Sequence, residues 1–100
     1  MRILAIERPV QGVTGDRFTP ELSVAEARRA WDLHQAGIVR ELFFRGDEPA
    51  AVLMLECADA AEARGVLATL PLVAAGLIDF ELIPLGAYPG FARLFSSAAS

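Results

Sequence analysis

One hundred residues, 54% of them hydrophobic and 22% charged, are expected to form one folded domain (1–100) around a single core and do not fit a disordered chain. A net charge of −4 argues against a phosphate-backbone partner, and all nine basic residues are arginine, which removes Schiff-base and P-loop lysine chemistry. With one histidine (His34), one cysteine (Cys57) and neither CxxC nor HExxH spacing, an intrachain disulfide is impossible and a structural zinc site is not expected. Cys57 reads as a small core residue and suits a reducing cytoplasm. Only four apolar residues follow Met1-Arg2 before Glu7, too few for a signal core, and no run approaches the ~20 of a membrane span. A cytoplasmic protein without nucleic-acid or membrane partners is expected.

Arg2 to Glu7 reads as a short apolar strand ended by Pro9, and Gln11 to Phe18, with two glycines and an aspartate, as a loop. Thr19-Pro20 sets a helix start, cap then first-turn proline, with Ser23/Glu26 as a competing capping box. The helix should reach about Ala36, stopped by Gly37, with Val24, Ala27, Trp31 and His34 on one face and Glu26, Arg29 and Asp32 toward water. Ile38 to Arg45 is a strand by its β-branched and aromatic content. Alternation groups Arg40, Leu42 and Phe44 on one side of it, and Val39, Glu41, Phe43 and Arg45 on the other.

Gly46 to Pro49 is a hairpin turn, and Ala50 to Cys57 a nearly all-apolar central strand. Asp59 caps a second helix whose stripe is Ala63, Val66, Leu67 and Leu70, stopped by Pro71. Leu77 to Ile83 is the last strand, with Ile78, Phe80 and Leu82 opposite Asp79 and Glu81. Pro84 to Gly90 reads as loop and Phe91 to Phe95 as an apolar tail before a frayed Ser/Ala end.

The order is β-α-β-β-α-β. Right-handed crossovers put both helices on one face of a four-stranded antiparallel sheet, the α+β ferredoxin-like arrangement. Its other face, apolar beside carboxylates, is then expected to close on a second copy, giving a homodimer or larger ring.

Two blocks resemble the muconolactone delta-isomerase family. Leu67 to Gly86 (LATLPLVAAGLIDFELIPLG) carries a helix end, a Leu-Pro-Leu break and a strand with alternating acids. Ala36 to Cys57 carries the glycine, an Arg-x-Leu-aromatic strand (Arg40, Leu42, Phe43) and its hairpin partner. The chain departs from the family pattern at Glu41, where the family has histidine, at Phe44, where it has a second arginine, and at Ala51 to Leu53. The resemblance implies a dimeric α+β barrel, a further assembly such as a decamer, and a small acid from aromatic degradation as substrate.

Moving a lactone double bond needs a base, an acid and a cation for the free carboxylate, and no metal or organic cofactor. Arg40 and Asp79 are candidates for substrate binding, and Glu41 and Glu81 for proton transfer. The competing reading pairs these charges across a dimer interface or leaves them in solvent. His34 beside Trp31 is a candidate proton shuttle over an aromatic substrate, as in cofactor-free oxygenases on this kind of barrel; the alternative is a histidine capping the helix end. A non-catalytic ligand-binding or assembly module is the remaining alternative, favoured by a pocket without a perturbed carboxylate or histidine.

Overall fold

A computed structural model describes residues 1–95; the Ser/Ala end lies outside the described residues. Four strands, β1 (Arg2–Pro9), β2 (Val39–Phe44), β3 (Ala51–Glu56) and β4 (Ile78–Leu85), form one antiparallel sheet in the order β2-β3-β1-β4. Helices α1 (Pro20–Gln35) and α2 (Ala60–Leu67) are the two crossover connections. Two four-residue helices, α3 (Pro71–Ala74) and α4 (Ala92–Phe95), complete the ferredoxin-like fold.

Register fixes the two faces of the sheet. Ile3 opposite Leu55, and Ala5 opposite both Leu53 and Leu82, point toward the helices; Ile3, Ala5 and Leu55 are wholly buried. Leu33 from α1, Ala63 and Leu67 from α2, Leu70 and Phe80 close this core. Cys57 is buried with it, and burial pushes its thiol pKa up, as befits an inert core cysteine. On the open face Leu4 faces Met54 and Ile83, and Ile6 faces Val52 and Glu81. No helix of the described residues is long and apolar enough to cross a membrane.

Local chemistry explains the boundaries. The Thr19 hydroxyl accepts the Leu22 N–H at 3.2 Å with Pro20 following, so Thr19, not Ser23, caps α1. Gly37 turns the chain into β2 at φ 78°. Asp59 caps α2 through the Glu62 N–H at 2.8 Å, while the Glu62 carboxylate accepts the Ala58 N–H.

Three local expectations are corrected. Pro71 opens α3 instead of merely ending α2, because a first-turn proline sacrifices no helical hydrogen bond. The last strand runs through Pro84 to Leu85, since β4 is an edge strand and can carry a residue without an N–H. The alternation expected for β2 breaks at a bulge between Val39, opposite Leu55, and Glu41, opposite Met54. Arg40 is the extra residue, so Val39 joins Leu42 on the helix-facing side.

The face of α1 also differs from expectation. Val24, Ala27, Trp31 and His34 are exposed, while Leu33 is buried and Leu22, Glu26, Arg29 and Ala30 are half-buried. The buried stripe therefore includes a carboxylate.

Candidate functional site

Between α1 and the sheet lies a cavity of about 180 Å³. Ala30 and Leu33 of α1 roof it, Leu42, Phe44, Ala51, Leu53 and Phe80 of the sheet floor it, and Leu70 and Leu72 close one side. Two charged groups enter this apolar wall, Glu7 from β1 and Glu26 from α1. Each is held by a backbone donor from a distant segment: Glu7 Oε1 accepts the Ala51 N–H at 2.8 Å, and Glu26 Oε1 accepts the Leu72 N–H at 2.9 Å. No arginine lines the cavity among the described residues.

Burial raises the Glu26 pKa, the hydrogen bond from Leu72 partly offsets this, and the neighbouring Glu7 charge raises it further. A carboxyl group so placed can hold a proton nearer neutrality than an exposed glutamate and pass it to a bound molecule. An apolar cavity of about 150 Å³ is known to hold benzene, so this one admits a single ring.

A second, more open cleft adjoins the first along Ala30 and Leu42 and is lined by Ala27, Trp31 and His34. The Trp31 and His34 rings stand 6.1 Å apart, tilted by 48°. His34 Nδ1 lies 2.9 Å from the Val39 carbonyl. A carbonyl oxygen only accepts, so Nδ1 carries a proton, and in the neutral tautomer that this selects Nε2 is the acceptor. The histidine thus bonds the start of β2 instead of the last carbonyls of its own helix.

The remaining candidates from the sequence are not drawn together by the fold. Glu81 is paired with Arg8 on the open sheet face, where the register also puts Asp79 opposite Arg8. The Asp79 carboxylate accepts the Phe80 N–H at 2.8 Å. Glu41 lies opposite Met54 on that same face and is exposed. Arg40, at the bulge, acts on Glu56: the N-terminal ammonium bonded at 2.6 Å holds that carboxylate low, and Arg40 and Arg2 add to the effect. None of Arg40, Glu41, Asp79 and Glu81 lines either cavity. Glu7 and Glu26 were not among the candidates. Among the described residues no cluster of His, Cys, Asp and Glu is arranged to hold a metal ion.

No family model matches this sequence, and no curated protein matches it. Solved structures do. Muconolactone isomerase superposes with a TM-score of 0.69 at 21% identity, covering 89% of this chain and 92% of that one. The 5-chloro-2-hydroxyhydroquinone dehydrochlorinase of Burkholderia phenoliruptrix AC1100, in complex with 2,5-dihydroxybenzoquinone, superposes with a TM-score of 0.66 at 14% identity. That alignment covers 90% of this chain and 98% of the dehydrochlorinase. The chain has the muconolactone isomerase fold. At these identities the likeness extends to the path of the backbone over nearly its whole length, and the chemistry has to be argued from the cavity.

Proposed function

We propose that this protein is a cofactor-free small-molecule enzyme that moves a proton on a single-ring substrate, a lactone or a hydroxylated ring of the kind met in aromatic degradation. The observation that carries this reading is Glu26, a carboxylate with a raised pKa, set with Glu7 in an apolar cavity of ring size. In this role the Glu26 carboxylate takes a proton from an activated ring carbon, and the resulting acid returns it to another carbon of the same ring. Glu7, oriented by the Ala51 N–H, accepts a hydrogen bond from a ring hydroxyl. Proton in and proton out balance, so the net change is an isomerisation. Both structural neighbours are named for reactions on compounds of this size, which supports the class without fixing the substrate.

The test is to follow the ultraviolet absorbance of muconolactone and of a panel of hydroxylated quinols with the purified protein, alongside Glu26→Gln and Glu7→Gln. Turnover that falls by about 10²–10⁴ in Glu26→Gln, the usual worth of a positioned acid–base group, supports the reading. Tight ring binding without turnover, unchanged in Glu26→Gln, favours a ligand-binding module instead. The Trp31–His34 cleft favours a second reading, cofactor-free oxygenation of an aromatic substrate whose hydroxyl donates to His34 Nε2. Oxygen uptake lost in His34→Ala but retained in Glu26→Gln would select it.

We also infer a homodimer. Leu4, Ile6, Phe43, Val52, Met54 and Ile83 make the centre of the open sheet face apolar, and a second copy of that face is its self-complementary cover.

A further inference from the structure

Each of the two carboxylates in the apolar cavity is anchored by one oxygen and free at the other. Glu7 Oε1 accepts the Ala51 N–H and Glu26 Oε1 accepts the Leu72 N–H, while among the described residues no donor is bonded to Oε2 of either. No buried side-chain oxygen of the described residues lacks a partner, so the two Oε2 atoms are not sealed from a ligand. An ionised carboxylate oxygen only accepts. The cavity therefore offers a single ring two acceptors, one from its floor on β1 and one from its roof on α1, beside the aromatic surfaces of Phe44 and Phe80.

The arginines that neighbour the lining residues in the chain are engaged elsewhere. Arg8, next to Glu7, is paired with Glu81 on the open sheet face. Arg29, one helical turn from Glu26, donates from Nε to the Thr69 hydroxyl at 2.9 Å. Arg45, next to Phe44, holds the Asp47 carboxylate at 2.9 and 2.7 Å and reaches Glu48 at 3.1 Å. A ligand carboxylate about 5 Å from either glutamate, at an effective dielectric of about 20, is disfavoured on the order of 10²-fold in affinity against an uncharged group of the same size. Its desolvation by the apolar wall acts in the same direction. A ligand hydroxyl gains instead, because a hydrogen bond to an ionised acceptor is shorter and stronger than a neutral one.

We propose that the cavity takes an uncharged ring with two hydroxyl groups, one donating to Glu7 and the other to Glu26, and rejects rings that carry a carboxylate. The inference rests on the reading of this cavity as the substrate site and narrows it: the hydroxylated ring is kept, and the lactone with a free carboxylate is set aside. An ionised Oε2 has more than one lone-pair site, so a hydroxyl held by Glu26 does not bar proton transfer at a neighbouring ring carbon.

The test titrates the full-length protein calorimetrically with protocatechuamide and protocatechuate, which match in size and hydroxyl groups and differ by one charge. Catechol and phenol form a second pair that differs by one hydroxyl. Salt at about 0.15 M screens the net charge of −4 over distances beyond the cavity. The amide should bind on the order of 10²-fold more tightly than the acid. Catechol should bind roughly tenfold or more tightly than phenol, as for a hydrogen bond to a charged acceptor. Glu7→Gln combined with Glu26→Gln keeps an oxygen for each backbone N–H and removes both charges, so the amide–acid gap should shrink to less than about tenfold. An amide–acid gap below about tenfold in the unmodified protein, a preference for the acid, or binding of none of the four rings overturns the proposal. So does a gap undiminished in the glutamine variant. The comparison of amide with acid needs no variant, so it decides the matter even if the glutamine substitutions impair folding. Preference for the amide without turnover of any hydroxylated ring would leave the ligand class intact and remove the enzyme reading. Turnover of muconolactone that is lost in Glu26→Gln would do the reverse.

Discussion

Ala30→Leu adds three carbon atoms to the wall that both cavities share, at a helical position where leucine is nearly as good a helix former as alanine. If the 180 Å³ cavity is open space, the added carbons occupy it at about 0.8 kcal/mol each, an upper bound of about 2.4 kcal/mol. Ordering the leucine side chain costs about 0.5–1 kcal/mol, leaving roughly 1.5 kcal/mol of added stability. For a chain of 100 residues that is a rise in melting temperature of roughly 6–12 °C. The assay is thermal and urea unfolding of the variant beside the unmodified protein, with ring binding measured on both.

The expected outcome couples two opposite changes, higher stability and lost binding, as for a void kept open for a ligand. Ala63→Leu is the control. Ala63 is wholly buried in the core and lines neither cavity, so its enlargement should cost about 1–3 kcal/mol by overpacking. If Ala30→Leu destabilises as Ala63→Leu does, there is no usable space beneath α1, and the reasoning from cavity to function fails.

The Glu26 pKa is raised by burial, so between the ordinary glutamate value and the folded one the native state binds more protons than the unfolded state. Stability contributed by this group is therefore full at low pH and declines as pH rises through that window. Glu26→Gln should gain stability over the unmodified protein on going from pH 4 to pH 7.5 in urea titrations, and a difference that stays flat with pH would contradict the burial argument. Asp59→Ala removes the α2 cap and should cost about 1 kcal/mol, read as a lower urea midpoint at unchanged slope. Gly37→Ala forces a Cβ into φ 78° with no steric neighbour to blame, so the loss of about 1–2 kcal/mol expected in the same titration isolates backbone strain.

Much of the fold is written in short-range chemistry. Thr19-Pro20, Gly37, Asp59 and the alternation of Ile78, Phe80 and Leu82 each act through neighbours a few residues away, and each element lies where those signals put it. The bulge at Arg40 is different. Alternation along β2 is uninterrupted in the sequence, and the extra residue exists only because Val39 and Glu41 pair with consecutive residues of another strand. A period-two pattern cannot register a partner's count.

The cavity was hidden for a related reason. Three-and-four spacing on α1 admits two stripes, and the apolar one through Val24 and Trp31 is the better core by composition. The stripe that meets the sheet runs through Leu22, Glu26, Ala30 and Leu33. Burying Glu26 on it is tolerable because Leu72, 46 residues away, supplies an N–H, just as Ala51, 44 residues away, supplies one to Glu7. Without the Leu72 donor the Glu26 carboxylate would be a half-buried unsatisfied acceptor, and α1 would do better to roll toward its Trp31 face. The hydrogen bond from Leu72 to Glu26 thus helps hold the helix in the orientation that leaves Trp31 and Val24 exposed. The exposed rim and the buried acids are one consequence of the same choice, which is why a periodicity that treats Glu26 as solvent-facing misplaces both.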